Sequence, residues 1–240
     1  MNTNAKQVTE TRSDTTRGIV KRGAQLTATL LLQAAILFIA AGRLDWFAAW
    51  IFLAVYVGTI AFNTLVLLPK HPDLIAERAE PKKNVKSWDK TISSITGVAY
   101  LAAMIVAGLD VRLGWSSPVA IFILAIGLVL LIAGNALFSW AMASNAYFST
   151  LVRIQDDRGH AVVSTGPYHW VRHPGYVGWI LMNIGMPLLF GSWWALIPGG
   201  LSALLMAVRT ALEDRTLQEE LPGYKEYAQR VRYRLVPGVW

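Results

Sequence analysis

The sequence predicts an all-α, polytopic membrane protein with about six transmembrane helices, and three observations support this fold class. Hydrophobic residues make up 54% of the 240 positions and charged residues only 15%, which is too apolar for an ordinary soluble domain of this length. Long apolar runs recur along the chain, each close to the about 20 residues that a helix needs to cross a bilayer. The basic residues lie between these runs, in an order that fits one orientation across the membrane.

The tail and the first four apolar runs form the N-terminal part of the chain. Residues 1–22 are polar and rich in threonine and charge, and we predict that they form a disordered cytoplasmic tail. Residues 23–150 follow as a four-helix transmembrane region. Its apolar runs cover residues 26–41, 46–68, 91–109 and 119–142.

Two features of this N-terminal region predict local structure. The segment 70–90 is charged and contains His71-Pro72-Asp73, and we expect a solvated helix along the inner membrane surface. In the fourth run, Gly127 and Gly134 remove side-chain bulk from one helix, which favours close packing against a neighbouring helix.

Residues 151–240 form the predicted C-terminal region. Its apolar run, residues 176–208, is divided at Gly191-Ser192 into arms of about 15 or 16 residues, and at about 1.5 Å per residue each arm is shorter than the ~30 Å apolar core of a bilayer. We therefore predict a tight helical hairpin. An amphipathic tail rich in Arg, Tyr and Trp closes the chain and suits a membrane surface.

The distribution of positive charge predicts the orientation. With six crossings and the N-terminus inside, 20 of the 22 Lys and Arg residues face the cytoplasm, and only Arg43 and Arg112 lie outside. Both termini are thus predicted to be cytoplasmic. The net charge of +7 is spread over all the inner segments rather than along one stripe, so it indicates anionic lipid and not a nucleic acid as the partner.

The residue inventory excludes several kinds of site. The chain has no cysteine, which rules out disulfides, thiolate nucleophiles and cysteine-ligated metals. His71 with Asp73 provides too few ligands for a metal site, and Asp156-Asp157 lies in a predicted turn beside Arg153 and Arg158, where ion pairing is the simpler reading. We predict no metal.

Polar residues are concentrated just before the last apolar run. Residues 166–178 read GPYHWVRHPGYVG, with two prolines, two histidines and an arginine where charge normally thins out toward lipid. Such residues are also ordinary interfacial anchors. Arg209 and Glu213 lie one helical turn apart at the end of the hairpin, and a short hairpin would return both to the surface that holds Arg172 and His173.

The order of these residues resembles a known signature. Arg-His-Pro-Gly-Tyr-x-Gly after Gly-Pro-Tyr is similar to the motif of the isoprenylcysteine carboxyl methyltransferase family, and the resemblance covers residues 155–240. It implies a membrane-embedded enzyme with S-adenosyl-L-methionine bound at the cytoplasmic side. Arg209 is similar to the family's substrate-facing arginine. The resemblance implies these cofactor contacts: Gln155, His160, Ala161, Val162, Val163, Tyr168, His173, Pro174, Gly175, Tyr176 and Glu213.

Three functions remain open at this stage. The first is transfer of a methyl group from S-adenosylmethionine to a lipophilic acceptor, for example the carboxylate of an isoprenylcysteine-like molecule; a carboxylate is deprotonated near pH 7, so no general base is required. The second is a sterol or lipid reductase that uses NADPH, for which Arg230, Arg232 and Arg234 would contact the 2′-phosphate. The third is a non-enzymatic membrane scaffold. The sequence predicts no oligomeric state.

Overall fold

The computed structural model describes residues 3–81 and 84–240, with side chains from residue 14 onward, and these residues form helices, turns and loops. Short 3₁₀ helices cover Asp156–Arg158 and Gly166–His169. The α-helices are α1 (Thr3–Ala41), α2 (Phe47–Lys70), α3 (Pro72–Glu77), α4 (Ser87–Leu113), α5 (Ile121–Ser144), α6 (Pro174–Phe190), α7 (Leu196–Glu220) and α8 (Tyr224–Arg230).

Five of the described helices are long and apolar enough to cross a membrane: α1 from residue 14, α2, α4, α5 and α7. The remaining apolar helix, α6, has 17 residues, or about 26 Å at 1.5 Å per residue. It forms a hairpin with α7, since Gly191 ends α6 in the left-handed conformation and α7 begins five residues later. The predicted all-α polytopic fold with a C-terminal hairpin is therefore confirmed.

The structure corrects two boundaries. Residues 3–22, predicted to be disordered, belong to α1, which packs against α3. In the turn after α3, Glu80 forms an ion pair of 3.0 Å with Lys21, and the Ala79 carbonyl accepts a hydrogen bond from Gln25. Residues 1 and 2 of the predicted tail lie outside the described residues. The predicted length of the second hairpin arm is too short, because polar residues continue α7 to Glu220.

Glycines bring α5 and α6 into direct backbone contact. A Cβ at Gly134 would lie 2.7 Å from the carbonyl oxygen of Gly178, and a Cβ at Gly178 would lie 2.6 Å from the carbonyl oxygen of Gly134. Gly127 and Gly185 repeat the arrangement two turns away. The predicted packing role of Gly127 and Gly134 is confirmed, and this contact fixes where the first residues of α6 lie.

Buried polar links join the helices at two levels. Arg209 of α7 pairs with Asp89 in the first turn of α4, with 2.6 Å between Nε and Oδ1. At the opposite end of α4, Asp110 accepts hydrogen bonds from Ser116 and Ser192. The apolar core lies between these levels, where Leu37, Ala103 and Met186 are among the completely buried side chains.

Candidate functional site

A cavity of about 100 Å³ lies at the start of α6, between the loop 145–163, the last turns of α7 and α8. Backbone hydrogen bonds hold the C-terminal tail over the motif, since the N–H groups of Arg172 and His173 donate to the carbonyls of Tyr233 and Arg234. Of the eleven predicted cofactor contacts, all line this cavity except Pro174, which is the buried first residue of α6. Whether they contact a cofactor stays a prediction.

Tyr176 lies at the centre of the site. Its hydroxyl donates a hydrogen bond to Glu213, and its ring stacks on His173 with the ring centroids 5.6 Å apart and the planes 6° from parallel. The guanidinium of Arg209 lies 5.0 Å from the centroid of the same ring. Arg209 itself does not line the cavity, so Tyr176 links the cavity to the arginine.

The partner of Arg209 differs from the one its helical spacing suggested. Instead of pairing with Glu213 one turn later, Arg209 binds both oxygens of Asp89, at 2.6 and 3.3 Å, and also donates to the Thr150 carbonyl at 3.1 Å. Asp89 is fully buried. The described structure shows no hydrogen bond from Nη1 of Arg209, so one edge of the guanidinium is available to another anion.

Asp214, next to Glu213 in α7, holds the motif in place. Its buried carboxylate accepts two hydrogen bonds from Arg172, at 2.7 and 2.9 Å, and lies 3.3 Å from Nε2 of His173. Tyr224 and Arg234 donate to it as well, at 3.1 and 2.9 Å. Burial opposes the charge of Arg172, but the hydrogen bond and negative charge of Asp214 outweigh it and raise the pKa of this guanidinium.

Asp214 thus explains how the predicted polar group assembles. The sequence predicts that Arg172, His173, Arg209 and Glu213 share one surface, and they do lie around the start of α6. They meet through Asp214, Tyr176 and Asp89 rather than through direct ion pairs with one another.

The loop 145–163 forms the opposite wall. Gln155 is buried and donates from its side chain to the Tyr147 carbonyl at 2.7 Å, and the predicted turn follows it as a 3₁₀ helix ended by Gly159. His160 packs against the Tyr147 ring, and burial is the main cause of its lowered pKa. A neutral imidazole is then the favoured form at pH 7, and Nδ1 accepts from the Gln155 backbone N–H at 3.4 Å.

Tyr168 connects this wall to α8. Its hydroxyl accepts a hydrogen bond of 3.2 Å from the Asn145 side-chain amide, and its carbonyl accepts one of 2.7 Å from the hydroxyl of Tyr227. Burial raises the pKa of the Tyr168 hydroxyl well above its usual range. Tyr168 is therefore a neutral hydrogen-bonding group at any physiological pH.

Sequence reasoning missed several residues of the site. Asp89 was not singled out from the sequence, because it stands among charged residues before an apolar run; the structure places it in the first turn of α4. Asp214 could have been noticed in the sequence because it is a second acid directly after Glu213. The side chains that line the cavity without having been predicted as contacts include Asn145, Tyr147, Phe148, Leu217, Leu221, Tyr224 and Tyr227.

The region that forms this site is similar to known proteins. Residues 125–219 match the model of the isoprenylcysteine carboxyl methyltransferase (ICMT) family. Similarity to this family therefore spans about two-fifths of the chain. The matched residues include α6, most of α7 and all eleven predicted cofactor contacts, ten of which line the cavity, so the resemblance first noted in the motif extends over both sides of the site.

Two curated relatives and one solved structure illustrate the similarity. Protein-S-isoprenylcysteine O-methyltransferase of Xenopus laevis is 35% identical over 114 residues, which is 44% of this chain and 38% of that protein. The Homo sapiens protein of the same name is 32% identical over 113 residues, again 44% and 38%. The chain thus matches about two-fifths of the length of these relatives.

The solved structure is that of the eukaryotic intramembrane Ras methyltransferase ICMT without a monobody. It aligns with 98% of this chain and 88% of its own, with a TM-score of 0.52 and 18% sequence identity. At that identity the comparison shows a shared fold. The residues that match the family model, 125–219, therefore lie within an arrangement of helices similar to that of the solved ICMT structure.

Proposed function

We propose that this protein is an integral membrane methyltransferase that moves the methyl group of S-adenosyl-L-methionine to a lipophilic acceptor, such as the carboxylate of an isoprenylcysteine-like molecule. One observation supports this most strongly: ten cofactor contacts implied by the family motif, drawn from a loop, from α6 and from α7, line one cavity. The names of the relatives agree with the same reaction class.

The residues present suit this cofactor chemically. Glu213 offers a carboxylate for the ammonium group, and in the described structure only one of its oxygens is engaged, by Tyr176. Tyr147 and His160 offer ring faces for the adenine, and Gln155 and His173 offer polar groups for the ribose and the carboxylate. Bound S-adenosylmethionine would supply an electrophilic methyl group on a sulfonium centre.

Binding requires the site to open. The cavity of about 100 Å³ is smaller than the ~300–1,000 Å³ of most small-molecule sites. The wall 145–163 lacks α-helix, so it is the part of the site that can move outward around a cofactor. Its closure would then exclude water from the reacting groups, as a displacement at carbon requires.

Arg209 and Tyr176 would act on the acceptor side. Asp89 and the Thr150 carbonyl fix the plane of the guanidinium and leave Nη1 to hold an anionic acceptor beside the Tyr176 ring. Arg209 would in this way orient a carboxylate that is already deprotonated at pH 7, without abstracting a proton.

The NADPH alternative receives no support from the positions of the C-terminal arginines. Arg234 binds Asp214 and lies over the Trp240 ring, and neither Arg230 nor Arg232 lines the cavity. The lipophilic acceptor, the bilayer as partner and cytoplasmic termini remain parts of the proposal. Reporter fusions at Trp240 and at Asn84 test the orientation, which is wrong if either reporter is active outside the cytoplasm.

Thermal unfolding of the detergent-purified protein tests the cofactor class. A ligand at 100 times its Kd stabilises the folded state by about 2.7 kcal/mol, which is enough to raise the melting temperature measurably. We expect a rise with S-adenosylhomocysteine and none with NADPH. A rise with NADPH alone would assign the protein to the reductases, and no rise with either ligand would favour the scaffold.

A further inference from the structure

A second cavity, of about 340 Å³, lies between α1, α2, α4, α5 and α6. It shares no lining residue with the candidate methyltransferase site. Its volume is roughly ten times the ~30 Å³ that one water occupies in the liquid and falls within the range of small-molecule sites. Most of its walls are apolar, including Leu26, Phe52, Val55, Ile60, Leu67, Leu131, Phe138, Met142, Met182 and Met186.

Two guanidinium groups line the same cavity. Arg22 lies on α1 and Arg78 directly follows α3, and both are half-buried. Arg22 makes one long hydrogen bond, of 3.4 Å, to Gln25, and Arg78 donates to the Phe148 carbonyl at 3.1 Å. Within the described residues, neither forms an ion pair with a carboxylate.

Their proximity is unfavourable without an anion. Burial and the positive charge of Arg22 lower the pKa of Arg78 to about 10. The negative charge of Glu77 opposes this shift only in part. Both side chains remain charged at pH 7 where water is reduced, and neither makes a direct ion pair in the described structure. Guanidinium groups are well suited to bind phosphate through paired hydrogen bonds.

The apolar part of the cavity sets the length of its occupant. From Arg22 to Gln33 the helix rises about 16 Å at 1.5 Å per residue. The side-chain oxygens of Gln33 and Asn183, two other lining residues, are buried and have no hydrogen-bond partner in the described structure. The mainly apolar walls beyond the arginines suit hydrocarbon.

We infer that this cavity binds an anionic membrane phospholipid, with its phosphate between Arg22 and Arg78 and one hydrocarbon chain between α1, α2 and α5. The charge complementarity comes from two cations without carboxylate partners, and the apolar walls exclude a free phosphate as the natural occupant. The lipid is distinct from the methyl acceptor, because Arg209 and the cofactor cavity contribute no residue to this site.

The test measures lipid retained by the full chain in nanodiscs and after extraction, using phosphatidylglycerol and phosphatidylcholine with the same acyl chains. We expect about one phosphatidylglycerol per chain by native mass spectrometry, preferred at least tenfold over phosphatidylcholine. Equal retention of the two lipids would overturn the inference, because the arginines would then play no part.

Three variants localise the binding. Arg22→Gln removes one cation and disturbs only the contact to Gln25, so retention of phosphatidylglycerol should fall tenfold or more. Asn63→Phe fills the apolar part and leaves both arginines in place, and it should also reduce retention. Arg215→Gln, which removes an exposed cation paired with Glu219, is the matched control and should retain lipid like the parent.

Retention unchanged in both Arg22→Gln and Asn63→Phe would contradict the site. Loss of methyl transfer in Asn63→Phe with unchanged phosphatidylglycerol retention would show that the cavity holds the acceptor, which would also overturn the inference. Neither result depends on S-adenosylhomocysteine binding, so a failure here is distinguishable from a failure of the proposed methyltransferase activity.

Discussion

At the scale of single residues, a buried ion pair determines what Arg209 can do. Asp89 is fully buried and binds Nε and one Nη of Arg209, which fixes the plane of the guanidinium against Tyr176. Removing either partner would leave an uncompensated buried charge, which typically costs about 3–5 kcal/mol. Variants that keep the charge are therefore the informative ones.

Arg209→Lys is predicted to reduce methyl transfer while cofactor binding persists. Lysine keeps the positive charge near Asp89 but lacks the planar group that reaches Asp89, the Thr150 carbonyl and an acceptor at once. Labelled-methyl transfer to a panel of lipophilic acids, amines and thiols measures the first effect, and calorimetry with S-adenosylhomocysteine measures the second. Full transfer activity in the variant would leave the arginine with a structural role only.

The sequence predicted the candidate cavity residues better than it predicted their partners. Motif order identified Tyr176 and Glu213, which lie 37 positions apart and do meet. It did not identify Asp89 as the partner of Arg209, because the two are separated by 120 residues and only the packing of α4 on α7 brings them together. The spacing of residues within one helix predicts which side chains are i,i+4 neighbours, but it does not predict contacts between helices that are distant in sequence.

At the scale of helices, the α5–α6 contact positions the motif. The backbones meet at Gly127, Gly134, Gly178 and Gly185, spaced seven residues apart on each helix, where the absence of a side chain allows the close approach. Since α6 begins within the motif, a shift of α6 displaces His173 and Tyr176. Stability and cofactor binding should therefore change together when this contact is disturbed.

Gly134→Ala is predicted to destabilise the protein and to weaken S-adenosylhomocysteine binding. The added Cβ would lie 2.7 Å from the Gly178 carbonyl oxygen, a backbone atom that yields only if the helices separate. Gly97→Ala is the matched control, because no atom lies within 4 Å of its Cβ and alanine favours the helix. Melting temperatures of the two variants in one detergent check this, and equal values would contradict it.

Helix boundaries show where prediction from sequence stops. Apolar runs located α2 and α5 to within a few residues, but they do not extend to the polar ends of α1 and α7, and the polar start of α1 was predicted to be a disordered tail. Both polar ends contact other parts of the protein, as Lys21 of α1 does with Glu80 and Asp214 of α7 does with Arg172. Hydropathy reports contact with lipid, whereas these helical turns are stabilised by protein contacts.

At the scale of the whole molecule, the helices separate two cavities with different chemistry. One lies between the loop 145–163 and α7 and is lined by titratable groups; the other lies between α1, α2 and α5 and is mainly apolar. Phe148 stands between them, since it lines the first and its carbonyl accepts a hydrogen bond from Arg78 of the second. A soluble cofactor and a lipid could thus be bound side by side.

The most direct test of the central claim is calorimetric titration of the detergent-purified protein with S-adenosylhomocysteine. We expect one binding site per chain and a ten- to hundredfold weaker affinity in Glu213→Gln, because loss of a hydrogen bond to a charged partner costs about 1.5–3 kcal/mol. Glu219→Gln changes an exposed acid of the same helix and should bind like the parent. No binding by the parent protein, or equal affinity in Glu213→Gln, would contradict the assignment of this cavity to the cofactor.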